Sequence, residues 1–332
     1  MAKFLSRVHA LGLQASFNWR FSSTMTAQKL NADLSRELVE SVDNFLFDCD
    51  GVLWDGIGAI PGSLETIKYL KKLGKRVFYA TNNSTSTREQ YAQKCLNFGY
   101  DATEEEIVCT AFIGALYLKN INFTGKVYLV GNPAMGVELD KYGIPHTGIG
   151  PDQEKIDGFH PEWLTTKLDP EVNCVMVGFD KYLSFPKILK ASSYLKKKDT
   201  IFLATNEDSN LPAAGDIVIP GTGTMVHAVK CASQRDPIVL GKPERPMFDV
   251  LQKAHKLDPA RCCMVGDRLN TDIGLAKRCG LKSLLVLSGV STEADVQPES
   301  SIFAKEQFPD YYTSTLGDLE KLLQNSQQQQ QS

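Results

Sequence analysis

Four short segments of this chain place acidic, hydroxyl, amide or cationic side chains directly after an apolar run. In chain order they are Asp48 with Asp50, then Thr81 with Asn82 and Asn83, then Lys242, and finally Asp267 with Asp272. Carboxylates that follow an apolar strand are costly unless they are paired or hold a cation. Their oxygens select a hard cation such as Mg²⁺, which proteins commonly bind with one or two carboxylates and a substrate phosphate. The segments therefore predict a magnesium site for a phosphorylated ligand.

Each segment taken alone also has an ordinary structural explanation. Asp50 and Gly51 are common turn residues, Thr81 and Asp272 are typical helix caps, and Lys242 resembles many solvated lysines. All four segments follow predicted strands, and this position favours a catalytic or ligand-binding role. The carboxyl ends of parallel strands form the ligand-binding edge of such sheets.

The elements that must position these groups follow from hydrophobic periodicity. The predicted strands are residues 45–47, 77–79, 127–130, 174–179, 201–204, 238–240, 262–265 and 284–287. Between them, Leu64, Ile67 and Leu70 recur at helical spacing, and Thr87 with Gln90 predicts a helix start with a capping box. This alternation predicts an α/β fold with a Rossmann-like, doubly wound parallel sheet covered by helices.

The four segments, in this order, resemble the motifs of the haloacid dehalogenase superfamily of aspartate-nucleophile phosphohydrolases. Their longer strings FDCDGVLW, TNNS, GKP and VGDRL-x-TDI are similar to a narrower group within that superfamily. This group contains phosphoglycolate phosphatase, pyridoxal phosphatase and p-nitrophenylphosphatase. The resemblance covers about residues 40 to 322.

The resemblance implies roles for the acidic residues. Asp48 would be the nucleophile that attacks phosphorus and forms an aspartyl-phosphate. Asp50 would act as general acid toward the leaving oxygen and then as general base toward water. Mg²⁺ would be held by Asp48, the backbone carbonyl of Asp50 and the side chain of Asp267.

The resemblance also implies a binding set around the transferred phosphate. Thr81, Asn82 and Asn83 would bind phosphate oxygens, and Lys242 would bind and neutralise the transferring group. Asp272 would lie behind these residues and orient Lys242 or a metal-bound water.

The spacing between the motifs locates a second domain. Thirty-one positions separate Asp50 from Thr81, whereas 161 positions separate Thr81 from Lys242. The second interval is far longer than one βα unit needs and leaves room for a domain of about a hundred residues. We therefore place an inserted α/β cap at residues 124–234, between core segments 38–123 and 235–322. The resemblance implies a homodimer that pairs through this cap.

A large cap over the site favours a small phosphorylated metabolite as the partner. Residues 204–212 resemble the family's cap loop, in which Asn210 stands near a position where relatives tend to carry His or Arg. We expect Asn210 to contact substrate, and residues 220–224 to form a tight turn rather than an anion-binding helix start. String similarity favours 2-phosphoglycolate as the substrate, with pyridoxal phosphate or a broad p-nitrophenylphosphatase activity as alternatives.

Three further interpretations compete with this one. A phosphoryl-transferring mutase of the superfamily usually carries its cap between the first two motifs, where 31 residues leave no room. A protein phosphatase is disfavoured by the large cap. A catalytically silent module that binds a phosphate ligand is disfavoured because every charged motif residue is present.

Composition excludes other classes. The 332 residues carry a net charge of −3, which gives no support for nucleic-acid binding. The sequence contains no run of about 18 apolar residues, so no membrane span is predicted. Eight cysteines without C-x-x-C spacing indicate reduced thiols, and we expect a cytoplasmic protein.

The two ends of the chain differ from the rest. Residues 1–32 contain basic residues and serines but no Asp or Glu, as is typical of a mitochondrial transit peptide. The alternative is an extension that precedes a functional start at Met25. Residues 323–332 are rich in Gln, and we expect a disordered tail.

Overall fold

The computed structural model describes residues 27–55, 57–152, 161–211, 216–297 and 307–331. These residues form a core domain with a seven-stranded parallel sheet, into which a cap domain with a five-stranded parallel sheet is inserted. The predicted α/β architecture with an inserted α/β cap is therefore confirmed. None of the helices in the described segments is long and apolar enough to cross a bilayer.

The helices and strands follow one another in three stretches. The first half of the core contains β1 (Gln28–Lys29), α1 (Ala32–Ser41), β2 (Asn44–Phe47), α2 (Ser63–Lys72), β3 (Arg76–Thr81), α3 (Arg88–Asn97), β4 (Ile107–Cys109) and α4 (Thr110–Asn120). The cap contains β5 (Lys126–Val130), α5 (Pro133–Asp140), β6 (His146–Thr147), β7 (Val172–Val177), α6 (Phe185–Leu195), β8 (Ile201–Ala204), β9 (Asn210–Leu211), β10 (Ile219–Pro220), α7 (Thr222–Ser233) and β11 (Ile238–Val239). The second half of the core contains α8 (Pro246–His255), β12 (Cys262–Gly266), α9 (Gly274–Cys279), β13 (Lys282–Val286), β14 (Tyr311–Thr313) and α10 (Gly317–Gln331).

The strand order of the core sheet explains where the motif residues meet. The order is β1-β14-β13-β12-β2-β3-β4, so β2 lies between β12 and β3. The chain proceeds from β2 toward β3 and β4 on one side, and after the cap it builds the other side outward from β12. Open parallel sheets bind ligands at such a reversal, beyond the carboxyl ends of the strands. All four residues of β2 are buried, as expected for a strand covered on both faces.

The domain boundaries differ from the sequence expectation at two places. The core begins before residue 38, because Gln28–Lys29 pairs with β14 and the side chain of Asn31 caps α1. The cap ends at Val239 rather than at residue 234, because β11 hydrogen-bonds to β8 in the cap sheet. β1 is only two residues long, too short for a periodic signal. The strand predicted at residues 238–240 is present as β11, but it belongs to the cap sheet and not to the core. Residues 1–26 of the segment interpreted as a transit peptide, residues 1–32, lie outside the described residues.

The C-terminal tail also differs from the expectation. The backbone of α10 continues to Gln331, through the Gln-rich segment for which we expected disorder. Glutamine loses little side-chain freedom in a helix and has a good helix propensity, so it extends a helix that is already started. The packed part of α10 lies nearer its start, where Leu319 and Leu323 are buried.

Helix α4 joins the two domains. Its residues Thr110–Leu116 and Leu118 are buried, and it packs on α8 of the core and on α5 of the cap. A helix that is apolar on every side is a fully buried helix rather than an amphipathic one. One hydrophobic cluster therefore runs from the core through α4 into the cap sheet.

A buried ion pair crosses the same interface. Glu138 on α5 is completely buried, and its Oε1 accepts the backbone N–H of Arg88, the first residue of α3, at 2.7 Å. Its Oε2 lies 3.3 Å from Nε of Arg88, whose guanidinium also lies 4.0 Å from the ring centroid of Phe112 in α4. A cap carboxylate thus holds the core helix that follows the loop after β3.

We predict that Glu138→Ala lowers the free energy of unfolding by about 1–3 kcal/mol, because the backbone N–H of Arg88 loses its acceptor while the guanidinium keeps its contact with Glu104. Urea denaturation of the variant and the wild type measures this difference. Glu105→Ala removes an exposed carboxylate from a neighbouring turn and is the matched control. Equal losses for the two variants would contradict the role of the interface pair.

Candidate active site

The centre of the site is the ammonium group of Lys242, which is buried. Its Nζ lies 2.6 Å from Oδ1 of Asp48, 2.7 Å from Oδ1 of Asp272 and 3.0 Å from the backbone oxygen of Ala80. The contacts with Asp48 and with Ala80 are hydrogen bonds, and the contact with Asp272 is an ion pair. The first, third and fourth motifs therefore meet as the sequence predicted.

Strand ends position the two carboxylates. The backbone N–H of Asp48 donates to the oxygen of Val265 in β12 at 2.9 Å, so Asp48 leaves β2 while still held by the sheet. Asp272 lies in a π-helical turn, Leu269–Ile273, between β12 and α9. Its Oδ2 accepts the backbone N–H of Arg268 at 3.1 Å, which turns Oδ1 toward the lysine. Such π-turns are frequent at functional sites.

Asp267 completes a cluster of three carboxylates. Ligand oxygens of Asp48, Asp267 and Asp272 lie within 4.8 Å of one another. Oδ2 of Asp267 accepts the backbone N–H of Val290 at 2.8 Å, whereas its buried Oδ1 has no hydrogen-bond partner among the described residues. Gly51 has φ +83° and approaches so closely that a Cβ there would lie 2.7 Å from Oδ2 of Asp267. A larger residue would displace the carboxylate.

Crowding and burial shift the pKa values of this cluster. Burial raises the pKa of Asp48 to about 8, against the lowering effect of Lys242 and with the help of Asp272 and Asp267. Burial, and then the charge of Asp272, raises the pKa of Asp267 to about 6. Burial alone would lower the pKa of Lys242, but Asp272 and Asp48 hold it well above its usual value. The lysine therefore stays charged at every physiological pH.

The donor set fits a hard divalent cation. Carboxylate oxygens are the ligands that Mg²⁺ prefers, and a cation beside Asp48 and Asp267 would give Oδ1 of Asp267 the partner that it lacks. It would also relieve the repulsion that raises the pKa values. Asp272 has both oxygens engaged by Lys242 and Arg268, so it lies behind the other two, as the resemblance implied.

Asp50 lies apart from this cluster. Its Oδ1 accepts the indole N–H of Trp54 at 2.8 Å, Nζ of Lys94 is 3.9 Å away, and its side chain is 56 % exposed. The carboxyl group therefore faces the cavity and solvent rather than the buried oxygens of Asp267. This position suits a group that exchanges protons with a ligand and with water.

The side chain of Asn82 links both domains. Its Oδ1 accepts the backbone N–H of Lys242 at 2.8 Å, and its Nδ2 donates to Oδ2 of Asp208 in the cap at 2.9 Å. Nδ2 also lies 3.1 Å from the backbone oxygen of Lys242. We expected Asn82 to bind phosphate, but both the oxygen and the nitrogen of its side-chain amide are hydrogen-bonded to protein groups. Its backbone N–H is the donor that remains.

Asn83 also forms hydrogen bonds within the protein, and these hold the loop that follows β3. Its Oδ1 accepts the backbone N–H of Thr85 at 2.8 Å, and its own backbone N–H donates to Oγ1 of Thr81 at 3.2 Å. Because Oγ1 of Thr81 accepts this bond, its O–H hydrogen is left to donate to a ligand. Thr81 and the loop amides, rather than the Asn83 oxygen, thus form the donor surface for an anion.

The motif residues line a cavity of about 160 Å³ between core and cap. Its lining includes the predicted residues Asp48, Asp50, Thr81, Asn82, Asn83, Asn210 and Lys242. Asp267 and Asp272 lie beneath its floor. Thr222 also lines the cavity, because residues 222–233 form α7 and its N-terminus faces the site. The expectation of a simple tight turn at residues 220–224 was therefore wrong.

Nine residues of the cavity wall had no predicted site role, and three of them are Phe179, Asp208 and Arg268. Phe179 fell within a predicted strand, but β7 ends at Val177 and leaves Phe179 in the following loop. Asp208 and Arg268 stood inside the strings that carried the resemblance, without a role of their own. The charges of Asp208 and Arg268 within these strings were the signal that could have identified them.

Comparisons with known proteins agree with this geometry. A family model for haloacid dehalogenase-like hydrolases matches residues 45–145, and a second model, described as HAD-hydrolase-like, matches residues 239–319. The segment between the two matches is most of the cap. Glycerol-3-phosphate phosphatase of Mus musculus is 42% identical over 308 residues, which cover 89% of this chain and 95% of that protein.

Two more relatives extend the comparison. Phosphoglycolate phosphatase 1A, chloroplastic, of Arabidopsis thaliana is 39% identical over 297 residues, covering 88% of this chain and 80% of that protein. The crystal structure of a 4-nitrophenylphosphatase from Thermotoga maritima superposes with a TM-score of 0.71 at 29% identity, covering 86% of this chain and 99% of that one.

Fold, site and relatives together define a phosphatase that cleaves phosphoric monoesters. The chain belongs to the haloacid dehalogenase superfamily of hydrolases. The resemblance of the four motifs to those of this superfamily is thereby confirmed.

Cys49 lies between Asp48 and Asp50, and we predict that it resists alkylation. The thiol is buried, and burial together with the charge of Asp48 raises its pKa well above the usual value. Of the eight cysteines, Cys231 alone is exposed. A thiol-specific reagent should modify Cys231 in the native protein and all eight in denaturant, with Cys231→Ser as the control. Rapid labelling of Cys49 in the native protein would contradict the burial of this strand end.

Proposed function

We propose that this protein is a Mg²⁺-dependent phosphatase that hydrolyses small aliphatic phosphate monoesters through a phosphorylated Asp48. The observation that carries the proposal is the buried ammonium of Lys242 against Asp48 and Asp272, beside a buried Asp267 oxygen that no described residue contacts by a hydrogen bond. The arrangement holds one reactive carboxylate at the floor of a cavity and keeps a fixed positive charge next to it.

The bound metal would be held by Asp48 and Asp267, with the backbone carbonyl of Asp50 as the further ligand that the resemblance implies. When bound, Mg²⁺ supplies positive charge that offsets the repulsion between an anionic nucleophile and an anionic substrate.

In the first step, a carboxylate oxygen of Asp48 forms a bond to phosphorus on the side opposite the leaving oxygen. The bond from phosphorus to the leaving oxygen breaks, and this oxygen takes a proton from the carboxyl group of Asp50. Thr81 and the loop amides donate to the phosphate oxygens, and Lys242 stabilises the charge that develops on them.

In the second step, the carboxylate of Asp50 accepts a proton from water, and the water oxygen bonds to phosphorus. The bond between Asp48 and phosphorus breaks, which regenerates the carboxylate and releases phosphate. Asp50 can perform both transfers because it faces the cavity with a half-exposed side chain. The covalent intermediate thus replaces one difficult displacement by two easier ones, with Asp48 as nucleophile in the first and as leaving group in the second.

The size of the cavity supports a substrate of a few heavy atoms beyond its phosphate. We call the part of the ester beyond the phosphate the handle, and the names of two relatives suggest suitable ones. One is the two-carbon carboxylate of 2-phosphoglycolate, which string similarity favours, and the other is the three-carbon diol of glycerol 3-phosphate. Both are aliphatic and contain few heavy atoms.

We predict that Asp48→Asn abolishes phosphate release from p-nitrophenyl phosphate in the presence of Mg²⁺, because an amide cannot act as the nucleophile. The loss in kcat should exceed roughly a thousandfold, as expected when a covalent nucleophile is removed. Asp55→Asn alters an exposed aspartate of the same loop and should stay close to the wild type.

Colorimetric assays of wild type, Asp48→Asn and Asp55→Asn measure this difference. Retained turnover in Asp48→Asn would rule out the covalent mechanism. Absence of turnover in the wild type with Mg²⁺, toward all the esters named above, would favour the silent phosphate-binding module instead.

We also predict that Mg²⁺ binding weakens as the pH falls below 8. The metal needs the ionised carboxylate, whereas the raised pKa of Asp48, about 8, favours its protonated form at lower pH. The Kd for Mg²⁺ should therefore be roughly tenfold or more higher at pH 6.5 than at pH 8.5. Titration calorimetry at the two pH values measures it, and in Asp48→Asn the dependence should shrink. A Kd independent of pH in the wild type would contradict a metal site on this cluster.

A further inference from the structure

The described side chains on the cap side of the cavity include one charged group, and its charge is negative. The cap residues that line it are Phe179, Asn206, Asp208, Asn210, Leu211 and Thr222. Asp208 is the acidic member of this set, and no lysine, arginine or histidine from the described part of the cap lines the cavity. Asn210, the position where the resemblance led us to look for a cation, is neutral.

The cations of the described lining belong to the core. Lys242 lies against Asp48 and Asp272, on the side of the cavity that the transferred phosphate would occupy. Arg268 follows Asp267 directly, its backbone N–H donates to Oδ2 of Asp272, and it lines the cavity from the core side. A substrate bound by its phosphate would therefore direct the rest of its atoms toward the neutral and acidic cap wall.

The carboxylate of Asp208 is held in place from two directions. Its Oδ2 accepts Nδ2 of Asn82 at 2.9 Å and Nδ2 of Asn206 at 2.5 Å. Its backbone oxygen accepts the N–H of Gly223, in the first turn of α7, at 2.9 Å. Gly221 permits this close approach, since a Cβ there would meet the backbone of Asp208 and lie 2.9 Å from the N of Asn210. Oδ1 has no hydrogen bond to another described residue and remains an acceptor on the cavity wall.

We propose that Asp208 determines which ester this phosphatase prefers: its free oxygen accepts a hydroxyl group of the substrate handle and repels a carboxylate. The proposal rests on the proposed function and extends it to the class of substrate. A hydroxyl handle donates to a carboxylate that is already positioned, so little ordering entropy is lost. A carboxylate handle would place two like charges at the same wall with no described cation of the cap to separate them. The handle selected is therefore an uncharged polyol.

The decisive variant is Asp208→Asn. The new side chain keeps one oxygen, which the amides of Asn82 and Asn206 can hold as they hold Oδ2 now. The amide nitrogen then replaces Oδ1 at the cavity wall, so an acceptor of hydroxyl groups becomes a donor that suits a carboxylate. Glu207→Gln is the matched control, because it removes the same charge from the adjacent, exposed residue outside this cavity.

The measurement is kcat/KM for glycerol 3-phosphate, 2-phosphoglycolate and p-nitrophenyl phosphate, with Mg²⁺, for wild type and both variants. We expect the wild type to prefer glycerol 3-phosphate to 2-phosphoglycolate. In Asp208→Asn the ratio of these two values should fall at least tenfold, while Glu207→Gln leaves it unchanged. The ratio does not depend on the fraction of active enzyme, so partial misfolding cannot produce the shift.

Two results would overturn the proposal: an unchanged ratio in Asp208→Asn, or a wild-type preference for 2-phosphoglycolate. If the wild type prefers 2-phosphoglycolate and Arg268→Met removes that preference, the core arginine rather than Asp208 selects the handle. Failure of the proposed function would differ from both, since the wild type would then hydrolyse none of the three esters.

Discussion

The ammonium of Lys242, buried between Asp48 and Asp272, is the charge on which the rest of this site depends. Three carboxylates approach within 4.8 Å at the carboxyl edge of the core sheet, and without a fixed cation their repulsion and burial would favour protonation. Lysine is suited to this position because its single ammonium group contacts three oxygens at 2.6–3.0 Å. Removing one partner of such a buried pair is strongly destabilising, whereas the intact pair adds little stability. The pair is better explained by its chemistry, because Lys242 opposes the rise in the pKa of Asp48 that burial causes.

This constraint also explains why the cap is joined so firmly to the core. Lys242 arrives on the loop that follows the last cap strand, and Asn82 ties the backbone of that loop to the end of β3. The side chain of Asn82 also donates to Asp208 in the cap, so the core side and the cap side of the cavity share one hydrogen-bond network. The buried Glu138–Arg88 contact and the apolar helix α4 fix the two domains at a second place. A cap held by these contacts presents a preformed wall to the substrate, and specificity then follows from which groups line that wall.

Much of the core could be predicted from the sequence, because its strands are apolar runs that end in polar motifs. The helix over Leu64–Leu70 and the capping box at Thr87 are confirmed, as is the meeting of Asp48, Lys242 and Asp272. Helix α4 could not be recognised by an apolar stripe, because both domains bury it and no polar face remains. The side chain of Asn82 was misjudged because its partners, Asp208 and the backbone of Lys242, lie 126 and 160 positions away. The start of α7 was taken for a turn because Gly-Thr-Gly is typical of both, and only the packing of α7 against α6 and β7 decides between them.

The most direct test of the account is to capture the phosphoryl group on Asp48. In Asp50→Asn, p-nitrophenolate can still leave because it needs little protonation, whereas the second step lacks the base that activates water. Acid quenching after mixing with p-nitrophenyl phosphate and Mg²⁺, followed by peptide mass spectrometry, locates the phosphoryl group. The account predicts a burst of p-nitrophenol of about one equivalent and a phosphorylated peptide that contains Asp48. Steady turnover without a phosphopeptide, or a phosphoryl group on another residue, would contradict it.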